Sequence, residues 1–417
     1  MFENLLAQPA ATLLINDIKT KKLPQSILFS GEGASGKLTA ALELARTLSC
    51  LEGTALWACS CSSCQKHRQL IHPDLLLAGP KDCLPEIRSA AAAFLRNGQS
   101  ASRFLFIRSI RKLILRFDPV LYQGDEARYS KAFASLSNLG EDMEDFERMS
   151  YQETDRDKLE KKVASLVSEA EKLETTAMYE TIPVSMIRKI STWTHLAPYG
   201  KKKTVIIERA DRMQDSARNA FLKILEEPPK DVVFILTTSR RGAILPTILS
   251  RVRTYGFIRR SLDIQHSVIT RVFHDTPQEG ETLSHYFNRF LPVSPEHITS
   301  SAVNFLSLVF SDAVLEGKEP PTSLKSILPE TEYDDSISSL VKGLNKCKPD
   351  VIWRNFLVAL NECLRSSLRS DSVSTRDIKI FTLWTDRIRE LFALVDIYNL
   401  TPVAALERLS VEMRNAL

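Results

Sequence analysis

The chain has 417 residues, 44% of them hydrophobic and 25% charged, with a formal net charge of +4. This is ordinary globular composition, and the length calls for two or three domains. So small a basic excess argues against a dedicated nucleic-acid binder, and any DNA contact is expected to be local or shared with partners. No apolar run is expected to reach the roughly 18 residues of a membrane span. The opening MFENLLAQPAATLLINDIK is amphipathic with an early acid, unlike a signal peptide, so the expected setting is the cytoplasm, away from membranes.

Residues 26–30, SILFS, form a short apolar run that predicts a buried strand. GEGASGK follows, and then LTAALELARTLSC, which has helix-period apolar residues and neither Gly nor Pro. Seven cysteines are present, and four of them, Cys50, Cys59, Cys61 and Cys64, fall within fifteen residues. In a reducing compartment such a cluster reads as a metal site before it reads as disulfides. Cys83, Cys347 and Cys363 are isolated and expected to be buried packing residues.

Residues 84–180 carry no buried strand pattern and read as a helical insertion. A basic segment, Arg103, Arg108, Arg111, Lys112 and Arg116, is interleaved with Phe104, Phe106, Ile107, Ile110, Leu113 and Ile114. A DNA-contacting helix fits that pattern; an amphipathic helix docked on the sheet fits it better. Further on, Leu159, Val163, Leu166, Ala170 and Leu173 alternate four and three residues apart, a seam of about two heptads. So short a seam is expected to pack against its own neighbour.

Two more strands are predicted, TVIIE from Thr204 to Glu208 and VVFILTT from Val232 to Thr238. Between them lies a helix, DSARNAFLKILEE, that stops at Pro228 and Pro229. Strands alternating with helices predict a parallel sheet covered on both faces. Beyond Arg260 the apolar residues keep helical spacing to the end. The expected division is a sheet module over 1–83 and 181–259, interrupted by the insertion, then a helical lid over 260–300 and a helical domain over 301–417. Pro292, Pro295, Pro320 and Pro321 punctuate the last boundary.

Gly31, Gly36 and Lys37 have the G-x-x-x-x-G-K spacing of a phosphate loop, with Gly33 inside it, after a strand and before a helix. Glycines let backbone amides wrap a phosphate, the helix N-terminus adds positive potential, and the lysine neutralises charge. A helix cap with coincidental glycines is the blander reading. The next residue should carry the hydroxyl that holds magnesium, but it is Leu38, and Thr39 comes one position late. After the TVIIE strand such an ATPase needs Asp then Glu, for the metal and for the attacking water. This chain has Glu208 and then Arg209, whose guanidinium cannot act as a base.

The segment ARNAFLKILEEPP, Ala217 to Pro229, resembles a segment of the bacterial clamp-loader subunits, an AAA+ family of the replicative DNA polymerase III. FILTTSRRGAILPTILSRV resembles that family's sensor strand, which ends here at Thr238, and its Leu-Pro-x-x-x-x-Ser-Arg-Cys motif. The motif's last triplet is Ser250, Arg251 and Val252, so the arginine is kept and the cysteine is not. Gln8, LPQSILFSG and the His72 to Asp74 triplet match in order, so the resemblance spans about 1–80 and 181–260.

The resemblance implies an α/β AAA+ module with a helical lid, and a C-terminal helical collar that joins gamma/tau and delta subunits in a five-membered ring. Such a ring loads the sliding clamp onto primed DNA. It also implies that Arg251 reaches a neighbour's ATP site in trans. Leu38, Glu208 and Arg209 favour the delta-prime type, which could hold ATP on Gly31, Gly33, Gly36, Lys37, Thr39, Glu208 and Thr238 without hydrolysing it. It would serve as a non-catalytic component of a nucleotidyltransferase holoenzyme. An active motor subunit of gamma/tau kind, using Thr39 and Glu208 unconventionally, is the alternative, and a zinc-stabilised scaffold is a third. The four cysteines suit a structural zinc. Their spacing is one residue shorter than the family's, since only Ser60 stands between the second and third, and His67 could substitute for one of them.

Overall fold

A computed structural model describes residues 1–80, 82–151, 154–291, 293–326, 328, 337, 340–341, 349–369, 373–398 and 401–417. The expectations for Pro292 and Cys347 lie outside the described residues. The chain forms two compact units, Met1–Phe287 and Asn288–Leu417.

The first unit is built on five parallel strands: β1 (Ser26–Gly31), β2 (Leu75–Ala78), β3 (Lys203–Ile207), β4 (Val232–Thr238) and β5 (Arg253–Phe257). Their order in space is β2-β3-β4-β1-β5. Side chains alternate across a strand, so each strand feeds two cores. Leu28, Leu76, Val205, Ile207, Phe234 and Leu236 point to one, and Ile27, Phe29, Leu77, Ile206, Ile235 and Tyr255 to the other. Every residue of β2, β3 and β4 is buried, which is why β3 and β4 read as unbroken apolar runs.

Helices α1 (Pro9–Lys19) and α2 (Lys37–Ser49) cover the second face, together with Phe2 and Leu5. Short α3 (Ser62–Gln69) follows the cysteine loop. The first face is covered by a helical layer: α4 (Leu84–Asn97), α5 (Ser100–Ile114), α6 (Pro119–Tyr122), α7 (Glu126–Arg148), α8 (Arg156–Ala177), α9 (Val184–Thr194) and α10 (Asp215–Glu226). Short α11 (Pro246–Leu249) precedes β5, and α12 (Leu262–Val272) and α13 (Leu283–Asn288) follow it.

Helices α7 and α8 pack on one another. Leu159, Val163, Leu166, Ala170 and Leu173 are all buried in the same core as the sheet's first face. Lys162 bridges to Asp142 (2.6 Å) and Asp145 (3.1 Å) on α7, which fixes the register of the pair.

The second unit holds α14 (Pro295–Leu315), α15 (Pro349–Ser367), α16 (Thr375–Tyr398) and α17 (Pro402–Asn415). Phe305, Phe356, Leu360, Trp384 and Leu409 form its centre, and the Trp384 indole donates to the Met413 carbonyl (2.9 Å). Here one expectation from the sequence is corrected. Helix α14 is long and apolar enough to cross a membrane. Its Ile298, Ala302, Phe305, Leu306, Val309 and Ala313 are buried, as in the core helix of a globular unit. Helix α14 also runs through residue 300, where the lid was expected to end.

Leu166 is fully buried, and truncating such a leucine removes apolar contacts and leaves a cavity. Leu166→Ala should therefore destabilise the first unit by about 2–5 kcal/mol in a urea titration. A shift below about 1 kcal/mol would mean the seam is not packed.

Candidate nucleotide site and cysteine cluster

The phosphate loop runs from the carboxyl end of β1 to the first turn of α2. Gly31 is required by a close approach, since a Cβ there would stand 2.2 Å from the Phe257 carbonyl oxygen on β5. Gly36 is required by its backbone, at φ +95° just before α2. Lys37 Nζ folds back onto the loop, donating to the carbonyls of Gly31 (2.7 Å) and Glu32 and to Ser35 Oγ (3.2 Å). Ser35 Oγ itself donates to the Glu32 carbonyl (2.8 Å). Leu38 points into the second core, so no hydroxyl stands at the position where magnesium would need one. Thr39 lies one residue further along α2, half-buried.

Thr238 is brought beside the loop, because β4 pairs with β1 and Thr238 is in register with Ser30. Its hydroxyl donates to Asp211 Oδ1 (2.7 Å) and accepts from the Arg240 amide (2.9 Å). Glu208 follows β3, two strand spacings from β1, or roughly 10 Å. Its carboxylate accepts from Arg116 Nη2 at 2.5 Å, and both residues are buried. Burial works against the Arg116 charge, but Cys83 and Glu208 outweigh it and raise its pKa above the ordinary arginine value. The acid at the end of β3 is thus bound to the helical insertion. Arg209 follows in the left-handed region, at φ +54°.

The other basic residues of 103–116 are also engaged within the chain. Arg103 donates to the Phe146 carbonyl, Arg108 to those of His67 and Arg68, and Arg111 to that of Gln69 (3.1 Å). Arg111 also meets Glu147 (2.6 Å), and Lys112 meets Glu86. The basic stripe docks the insertion. Arg240 and Arg253 likewise pair with Asp211 (3.4 Å) and Asp17 (3.1 Å). Arg251, just past α11, is partly exposed, and its Nη2 meets Glu226 Oε1 at 2.7 Å.

The cysteine cluster lies past the far end of α2, so about 20 Å of helix separates it from the phosphate loop. Cys50, Cys59 and Cys64 are buried and Cys61 is half-buried, all with free thiols. Their four sulfurs lie within 4.8 Å of one another, and Cys50 and Cys59 are 3.8 Å apart. A tetrahedron with Zn–S bonds of about 2.3 Å has edges of roughly 3.8 Å, whereas a disulfide would need about 2.05 Å. The four residues therefore fit a structural zinc, which would tie the two ends of this loop together. Burial alone would raise the Cys61 thiol, but backbone amides of Cys64 and Leu51 bring it down to about 6, whereas burial pushes the Cys64 thiol up. The four cysteine sulfurs are the ligand atoms gathered here, and the buried His67 ring stacks on His72 at 4.0 Å.

Sequence reasoning missed the residue that organises this loop. Arg46, on α2, is buried, pairs with Glu43 (2.8 Å), and donates to the carbonyls of Ala55 (3.0 Å) and Leu56 (2.7 Å) and toward Cys64 Sγ (3.7 Å). An Arg among the apolar residues of LTAALELARTLSC was the available signal. Asp211, the partner of Thr238, gave none. Of the isolated cysteines, Cys83 accepts from Arg116 Nε (3.4 Å) and Cys363 lies in the core of the second unit.

A parallel sheet of order β2-β3-β4-β1-β5, with a phosphate loop after β1 and helices on both faces, defines a nucleotide-site module of the AAA+ type. The chain belongs to the family described as DNA polymerase III, delta subunit, whose sequence model matches residues 7–260. Among curated relatives, the DNA polymerase III subunit delta' of Bacillus subtilis is 26% identical over 254 residues, covering 61% of this chain and 48% of that protein. The Pseudomonas aeruginosa subunit delta' is 38% identical over 80 residues, 19% of this chain and 24% of the relative. The gamma/tau subunit of Mycobacterium tuberculosis is 40% identical over 55 residues, 13% of this chain and 10% of that protein. The match thus spans about half the length of the Bacillus relative and less of the others. A solved gamma subunit-related protein from Thermotoga maritima superposes with a TM-score of 0.29 at 20% identity, over 61% of this chain and 90% of that one, too loosely to carry an argument. The relatives place the chain with the delta-prime kind of subunit.

Two outcomes test the site's geometry. Protein purified anaerobically should carry one zinc per chain by elemental analysis, and Cys59→Ser should lose it and melt at lower temperature; zinc-free wild-type protein would refute the assignment. Arg46→Met should cost about 3–5 kcal/mol by leaving Glu43 buried without its partner. Adding Glu43→Gln should recover part of that loss, and a cost unchanged by the second substitution would mean the pair is not the cause.

Proposed function

We propose that this chain is a clamp-loader subunit of the replicative DNA polymerase. In this reading it assembles with gamma/tau and delta subunits, helps place the sliding clamp on primed DNA, and does not turn over ATP itself. It instead lends Arg251 to the ATP site of a neighbouring subunit.

The observation that carries this reading is the contrast between the chain's own site and Arg251. At the site, Leu38 is buried in the core and Glu208 is engaged by Arg116. Hydrolysis needs a bound metal and a base; Leu38 and the engaged Glu208 stand at the metal positions, and Arg209 stands where the base would be. Arg251 keeps about a third of its side chain exposed, and its partner Glu226 keeps about half. A pair this exposed is held by little energy, so Glu226 can be exchanged for a neighbour's phosphate when the two surfaces meet. An arginine supplied in trans stabilises charge on the transferring phosphoryl group and is worth about 10³–10⁵ in rate at the site it serves.

The test is a reconstituted complex with its clamp and primed DNA. Arg251→Ala should leave assembly intact and lower the stimulated ATPase severalfold or more; an unchanged rate would remove the trans role. The isolated chain should show negligible turnover. Turnover abolished by Lys37→Ala would instead support the motor reading.

A further inference from the structure

An exposed apolar side chain standing alone is ordinary on a protein surface, and a contiguous group of them is not. One such group lies at the amino ends of β2 and β3. Leu51, Ile71, Leu196 and Tyr199 are 50%, 54%, 60% and 72% exposed. Contacts run from one to the next. The Ile71 amide donates to the Lys66 carbonyl (3.0 Å), and Lys66 Nζ lies 4.5 Å from the centre of the Tyr199 ring. Lys201 Nζ donates to the carbonyls of Cys50 (2.6 Å) and Leu51 (3.1 Å). Leu196, Tyr199 and Lys201 share the loop between α9 and β3.

The loop that presents these side chains is held in place from both ends. Asp74 accepts from the amides of Tyr199 (2.8 Å) and Gly200 (2.6 Å), and Lys203 Nζ donates to the Trp193 carbonyl (2.6 Å). A surface ordered beforehand loses little entropy when a partner binds. Its two ammonium groups keep donors to offer. Each has three, of which Lys66 uses one on Tyr199 Oη (3.3 Å) and Lys201 two on carbonyls. Among the described residues no carboxylate pairs with either lysine. Asp74, the acid that touches this loop, has both oxygens engaged by amides.

A nucleic acid is bound by cations along its phosphates and by aromatic rings under its bases, and leucine and isoleucine add nothing to either. Three aliphatic side chains and a tyrosine set among lysines suit a peptide that is both acidic and apolar. We infer that this surface docks a short acidic peptide segment of a partner protein. The segment's carboxylates meet Lys66 and Lys201, and its apolar side chains rest on Ile71, Leu196 and Tyr199. Strands β2 and β5 are opposite edges of the sheet, four strand spacings or about 19 Å apart. The surface therefore lies away from Arg251, which precedes β5, and the inference is independent of the trans role.

The experiment is a display selection of short random peptides on the full-length chain, followed by fluorescence-polarisation titration of a selected peptide. Enriched peptides should carry Asp or Glu together with Leu, Phe or Trp. Leu196→Ser and Tyr199→Ser should each weaken binding about fivefold through the lost apolar contact. Lys66→Glu should weaken it about tenfold by setting like charges against each other. A single-stranded oligonucleotide of equal charge should not displace the peptide. Enrichment without an acidic excess would overturn the inference, and so would peptides whose affinity none of these variants changes. An oligonucleotide that displaces the peptide and is indifferent to Leu196→Ser would assign the surface to nucleic acid instead. If Lys66→Glu fails to fold by circular dichroism, Lys66→Gln decides: it removes only the charge and should weaken binding severalfold, and no change would overturn the inference.

Discussion

The ion pair between Arg116 and Glu208 joins the helical insertion to the sheet at the position where the nucleotide chemistry would have been done. Both groups are buried, so each has lost water; Arg116 is compensated by Glu208 and by Cys83. Such a pair has a one-sided energy: replacing both members with apolar groups can be neutral, while removing one leaves a stranded charge. Once formed, it holds the acid at the end of β3 in a structural role. The insertion and the acid that follows β3 are therefore joined in the folded chain.

The same pattern recurs at the two ends of α2. Arg46 gathers the cysteine loop by its carbonyls and lies against a sulfur, so its positive charge offsets the thiolates that a zinc would need. Arg260 does the corresponding thing at the phosphate loop, again binding carbonyls. A guanidinium offers five donors in a rigid plane and stays charged, which suits it to cross-linking irregular backbone that has no helical or sheet partner. Loops at both ends of one helix are thus made rigid from within. The basic residues of the insertion are used in the same way, Arg103, Arg108 and Arg111 each donating to a backbone carbonyl within the chain.

Much of this was legible in the sequence. The strands β3 and β4 are fully buried and read as continuous apolar runs, and the loop between β1 and α2 carries its own spacing. The seam of α8 was visible because burial on one face imposes a period near 3.5. Strand β2 was missed because it has only four residues, LLLA, too few to distinguish a strand from a helix turn. Strand β5 was missed because it is an edge strand, RTYGF, with two exposed residues and one half-buried, so it lacks an apolar run. Candidate residues of the site were found by spacing, but their partners were not, because Arg116 and Glu208 are 92 residues apart and nothing in a local pattern couples them.

The form of the phosphate loop is set by the fold around it. Gly31 is held by the approach of β5, and Gly36 by the turn into α2; both constraints belong to the fold and persist without nucleotide. Lys37 donates to the carbonyls of Gly31 and Glu32 and so ties the loop to its own helix. The loop's form thus follows from the fold, while Leu38 and Glu208 are engaged by the core and by the insertion. Arg251 is held at the surface by Glu226 and by the Thr247 carbonyl.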